Sequence, residues 1–225
     1  MSLAVDFSAT NVNLVANGLL SFTGVTTNFT GELLVFVCAG DAGATSNVSI
    51  TSTGGLTWTK SSSNVTAHGS VYIFTAVAAS TISNQTITST DSVDTTTHWG
   101  GALYSFTGAD NTNRIGATAT GLQTTSGALS ETLTTTNLNS WVWAVADDYA
   151  TSQTHTLGAG QTSICNELDA SAGNTYMVWQ QTTTTQPINT VVTMNTTTAS
   201  EYVWELFEIL APPAIATGQF LITAI

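Results

Sequence analysis

The chain has 225 residues, with 2 Lys or Arg against 14 Asp or Glu and a formal net charge of -12. So few cations exclude nucleic-acid binding by displacement of counterions, and attachment to an anionic membrane through a polybasic patch. Charged residues make up only 7%, but hydrophobic residues make up 42%, more than a disordered chain carries; 45 threonines supply the polar surface instead.

The first residues, Met1-Ser2-Leu3-Ala4-Val5-Asp6, lack the basic start and continuous apolar stretch of a signal peptide. The longest apolar run, residues 33–39, falls well short of the roughly 20 residues that span a bilayer. These two features predict a protein made in a cytoplasm and without a membrane span. Cys38 sits inside that run and reads as a small buried hydrophobe, with a bridge to Cys165 left open.

Along the chain the apolar stretches alternate with period 2 and are rich in β-branched and aromatic residues, as in residues 71–77 (VYIFTAV), 141–145 (WVWAV) and 176–179 (YMVW). Joints such as Asn17-Gly18, Thr53-Gly54-Gly55 and Ala172-Gly173-Asn174 separate them. Many short strands with turn signals between them predict an all-β protein, a sandwich or barrel.

The chain can also be laid on itself at an offset of roughly 102 to 109 residues. Residues 17–28 fall on 126–137, 33–41 on 140–148, 70–74 on 174–178, 84–88 on 189–193, and His98-Trp99 with 103–106 on Glu201-Tyr202 with 206–209. On this pairing residues 201–210 are a strand rather than a helix, because their counterpart contains Gly100 and Gly101. The expected architecture is a two-sheet, jelly-roll-like β-sandwich over residues 1–211. Its pseudo-repeat halves, residues 15–110 and 124–211, share one core, and residues 212–225 extend beyond it. Two tandem sandwiches are the alternative.

Pro212-Pro213 forces an extended exit into this tail, whose last eight residues have strand character and no charge. Phe220, Leu221, Ile222 and Ile225 are therefore candidates for an assembly arm that adds a strand to a neighbouring subunit, with folding back as an edge strand the other option.

No nucleophile elbow, phosphate loop or dinucleotide fingerprint is present. His68, His98 and His155 have no second His at metal-ligand spacing and read as structural. Asp41 and Asp148 fall together in the repeat, and with Asp147 they are weak candidates for calcium; otherwise no metal or cofactor is expected. Glu201, Glu205 and Glu208 qualify for hydrolysis only by being acidic, and as strand residues Glu205 and Glu208 face opposite ways. Most of the six Trp read as core, with Trp58, beside a glycine-rich joint, the candidate for stacking on a glycan.

Residues 31–37 (GELLVFV), 55–59 (GLTWT), 70–76 (SVYIFTA) and 102–110 (ALYSFTGAD) together resemble jelly-roll modules of tailed-bacteriophage structural proteins and of some bacterial surface proteins. The resemblance covers most of residues 15–210 and rests on packing and turn residues, so no catalytic residue carries over. It implies a non-enzymatic virion component, a capsid decoration or a head or tail appendage, assembling as a homo-oligomer with other virion proteins. A glycan-binding adhesin or tail-fibre domain is the alternative.

Overall fold

The computed structural model describes residues 2–182 and 186–212, and all its regular structure there is strand. In chain order the strands are β1 (Ala4–Asn13), β2 (Leu19–Val25), β3 (Glu32–Gly40), β4 (Val48–Ser52), β5 (Thr59–Val65), β6 (Ser70–Ala78), β7 (Gln85–Asp91), β8 (Trp99–Thr107), β9 (Ile115–Thr134), β10 (Trp141–Asp148), β11 (Gln161–Asp169), β12 (Asn174–Gln181) and β13 (Val191–Ile209). They form three antiparallel sheets, ordered β1-β8-β3-β6-β5, β11-β12-β10-β13-β9 and β2-β7-β4.

β3 shows why the layers stack as they do. It is buried along its whole length, so it reads as a continuous apolar run rather than an alternating one. Leu33, Val35, Val37 and Ala39 face the second five-stranded sheet, where they meet Trp143, Val145, Tyr176, Val178 and Phe207 in a shared core. Leu34, Phe36 and Cys38 face the other way, beneath Leu20, Phe22, Val48 and Ile87 of the three-stranded sheet. β10 repeats the arrangement: Trp141, Trp143 and Val145 turn to the shared core, and Val142, Ala144 and Ala146 are covered by Leu129, Leu133, Val192 and Met194. Those covering residues lie in the far halves of the 20-residue β9 and 19-residue β13. The ladder between these two strands shifts register between Asn195 and Ala199 and again between Ser200 and Tyr202. Such bulges let a strand bend from one layer into the next.

The all-strand class and the sandwich stacking are as the sequence predicts, and residues 201–209 are strand. The layer count differs. Three sheets and three apolar clusters replace two sheets around one core, because the central strands are apolar on both faces and each face must be covered. The expected arm residues Phe220, Leu221, Ile222 and Ile225 lie outside the described residues.

The two five-stranded sheets follow the same winding, β1-β8-β3-β6-β5 beside β9-β13-β10-β12-β11. Across the shared core β1 lies near β11 and β5 near β9. The facing directions shift the sequence alignment of 33–41 by one: Leu34 and Val142 both point outward, whereas Trp141 points to the shared core. The sheets approach closely at Gly100, where a Cβ would strike the Tyr176 side chain.

Candidate functional site

Polar groups gather where the ends of β3, β8, β10 and β11 meet the start of β12. Asp147 is fully buried and turns toward the shared core; Asn174 Nδ2 donates to its Oδ1 and Oδ2 at 3.1 and 3.2 Å. Burial, reinforced by the nearby Asp41 charge, holds its pKa well above the usual carboxylate range. Asp169 has the opposite balance. Burial would raise its pKa, but the Ser171 hydroxyl, the Ala172 amide, His98 and the Tyr176 hydroxyl bring it to about 2. His98 Nδ1 is 2.5 Å from Asp169 Oδ2, and Tyr176 OH donates to the same oxygen at 3.0 Å.

The folded pKa of Asp169 lies below its unfolded value of 3.8, so its contribution is present above pH 4 and is lost as the pH falls toward 2. Asp169→Asn should cost roughly 2 kcal/mol at neutral pH and flatten this acid limb. Urea midpoints of both proteins between pH 2 and 7 check it; equal losses on acidification would count against it.

Asp148, next to Asp147 on β10, points to the outer face. It accepts from Ser200 Oγ at 2.6 Å, Thr151 Oγ1 at 2.8 Å and the Ala150 amide at 3.0 Å, and lies 2.9 Å from His155 Nε2. Tyr202 OH is 3.1 Å from His155 Nδ1. Burial opposes ionisation of Asp148, but His155, Ser200 and the other donors hold its pKa below the ordinary value. A Ser, a His and an Asp thus meet, but Ser200 bonds the carboxylate rather than the imidazole that would have to activate it. The network ties residues 149–157 to the sheet. Asp147 and Asp148 diverge, and among the described residues no three His, Cys, Asp or Glu side chains are arranged to hold a metal ion. Asp148 ends β10 opposite Tyr202, whereas Asp41 is exposed and lies just past Gly40, the last residue of β3, which pairs with Trp99.

The chain matches no family model, no curated protein and no solved structure.

The remaining sequence candidates are occupied by packing. Trp58 is half buried, edge-on to Phe36 at 6.3 Å, and its Nε1 is turned inward without a partner. His68 stacks on Tyr149 at 4.8 Å, joining the two halves. Cys38 and Cys165 are unbridged, and burial pushes both thiols up, Cys165 to about 12. Glu201 is partly buried at the bend of β13. Glu205 and Glu208 do face opposite ways, and both are fully buried. Glu208 accepts from Ser140 Oγ at 2.5 Å, Thr136 Oγ1 at 2.6 Å and the amides of Thr136, Asn137 and Ala117. Glu205 lies between the sheets, and no hydrogen bond of ordinary geometry reaches either oxygen.

Two residues stand out that the sequence reading passes over. Asp169 is 71 residues from His98, and no local pattern joins them. Arg114 carried a compositional signal, being one of two cations in the chain.

Proposed function

We propose that this chain is a non-enzymatic structural subunit, built from two copies of one sandwich unit, that attaches to a larger protein shell as a virion decoration or appendage protein does. The observation that carries this reading is where the reactive groups are spent. His98, His155, Asp148, Asp169 and Glu208 are bonded to one another, to hydroxyls and to backbone amides. Glu32 does border a cleft, beside Phe29 and Gly108, but its oxygens are taken by the Phe29 amide and the Ser105 hydroxyl. Such a molecule offers surface rather than chemistry. Exposed Leu14, Val15 and Val93, and exposed Leu138, Ile188 and Val191, give it apolar contact points on an exterior nearly without cations.

Attachment through apolar contact and strand pairing should survive salt that screens ion pairs. Particles purified from cells that encode the chain, washed at about 1 M salt, where the screening length is roughly 3 Å, should still carry it at regular positions under antibody-gold electron microscopy. Finding the chain only in the soluble fraction, or its release by the wash, would overturn the reading.

A further inference from the structure

A cleft of about 530 Å³ opens along the seam between the two five-stranded sheets. One wall is Thr59, Lys60, Ser61 and Thr75, from β5 and β6, and the other is residues 112–116 with Thr118. Arg114 reaches across: Nη1 is 3.3 Å from Thr75 Oγ1 and 3.5 Å from Thr59 Oγ1, and Nε donates to Asn111 O at 3.3 Å. These are long contacts, and among the described residues no carboxylate lies within 4 Å of the guanidinium, although the chain has 14 acids. The second cation, Lys60, turns its ammonium to the opposite face of the sheet, 4.9 Å above the Tyr72 ring.

The backbone gives a second reason to look at this residue. Among the described residues four non-glycine residues have positive φ; three are Asn84, Asn139 and Asn189, and the fourth is Arg114 at 41°. Asn is one of the few side chains that tolerate this region, whereas a long side chain there costs about 1 kcal/mol or more. Asp110 holds the turn in place by accepting from the Thr112 and Asn113 amides, and its own carbonyl accepts from the Arg114 amide. A Gly or Asn would fit that turn with less strain, and neither would put a cation into the seam.

We infer that this seam cleft is a binding site for a carboxylate-bearing sugar ring, with Arg114 gripping the carboxylate, and with the surrounding hydroxyls and the Oδ1 of Asn113, whose amide nitrogens are held by Asp110, taking the ring hydroxyls. The guanidinium fork matches one carboxylate in two parallel hydrogen bonds. A monoanion suits a chain of net charge -12 better than a phosphate dianion, for which one cation is poor compensation. The lining holds no aromatic ring on which a nucleobase could stack. The volume falls in the range of small-ligand sites, roughly 300–1,000 Å³.

The test is titration of the isotope-labelled full chain with glucuronate, N-acetylneuraminate, glucose, acetate and sulfate, followed by protein NMR. Glucuronate or N-acetylneuraminate should shift the amides of residues 59–61, 75 and 112–118 with saturable, millimolar affinity, and which of them binds tighter identifies the source as a hexuronic or a sialic acid. Glucose should not bind measurably, and acetate and sulfate should bind at least about tenfold more weakly than the acidic sugar. Arg114→Gln, with its thermal midpoint followed as a check on folding, should weaken the acidic sugar at least about tenfold. Thr118→Val, which keeps the turn intact, should weaken it less. No saturable shift with either acidic sugar, unchanged affinity in folded Arg114→Gln, or acetate and sulfate binding as tightly as the sugars would each overturn the assignment. If Arg114→Gln does not fold, an unchanged affinity in Thr118→Val does so.

Discussion

Replacing Glu205 by Gln is expected to stabilise the fold above neutral pH by about 3 kcal/mol and to leave it nearly unchanged below pH 4. The side chain lies at the shared core, opposite Val145 on β10 and Thr120 on β9, with nothing of its solvent surface left. Burial pushes its pKa up to about 7; the Ser62 hydroxyl moderates that rise without making an ordinary hydrogen bond to it. Among the described residues no charged group offsets the burial. Because the folded pKa lies above the unfolded value of 4.5, the stability that depends on the neutral carboxyl is fully present below pH 4.5 and is lost as the pH rises through 7. Gln is near-isosteric with the neutral acid and cannot ionise, so it should remove this loss. Asp147, also raised by burial, acts in the same direction, whereas Asp169 acts at the acid end. The wild type should therefore be most stable at about pH 4 to 5. Urea midpoints at pH 4, 6 and 8 decide it: parallel pH profiles for wild type and Glu205→Gln would show that Glu205 titrates normally and that the interior there is wet.

The difference between what the sequence shows and what it hides follows from the same side chains. Residues 33–39 and 141–146 are legible as strands because β-branched and aromatic residues crowd them. Their two-faced burial erases the alternation that would say which side meets which partner, so what covers their outer faces was not legible. The bend that carries β13 between layers falls at Thr196-Thr197-Thr198-Ala199-Ser200, a stretch that reads like any other threonine-rich strand in this chain. Aligning such text on itself finds the order of the segments but not their parity, and one residue of error exchanges inner and outer faces. At the candidate site the Asp147-Asp148 pair was visible, but its divergence was not readable while the faces of β10 were unknown. The partners of Asp169 come from three different strands or their flanks, and only the folded topology brings them together.

Glu208→Ala is expected to be the most damaging single substitution in the molecule, at about 5 kcal/mol, against about 2 kcal/mol for Glu32→Ala. Glu208 is the sole carboxylate for five donors, the amides of Ala117, Thr136 and Asn137 and the hydroxyls of Thr136 and Ser140. Each buried donor left without an acceptor costs roughly 1–3 kcal/mol, reduced where the turn can relax toward water. Glu32 serves two, the Phe29 amide at 2.8 Å and Ser105 Oγ at 2.6 Å. The two sites are related in a way that tests the proposed duplication. Ser105 lies opposite Leu34, and Glu208 lies opposite Val142, the outward residues that match between the halves. Glu32 precedes Leu34 by two residues, and Ser140 precedes Val142 by two. The same hydrogen-bonded pair thus occurs in both halves with acid and hydroxyl exchanged. In each, the turn before the central strand donates an amide to the acid, and the edge strand donates one to the residue on β8 or β13, Phe7 to Ser105 and Ala117 to Glu208. If the halves are copies, the site should accept either arrangement. The double variant Glu32→Ser with Ser105→Glu should then be more stable than either single variant, with a coupling of at least about 1 kcal/mol in a double-mutant cycle read from urea midpoints. Losses that simply add would mean that the exchange is coincidental and that the two halves reached this contact separately.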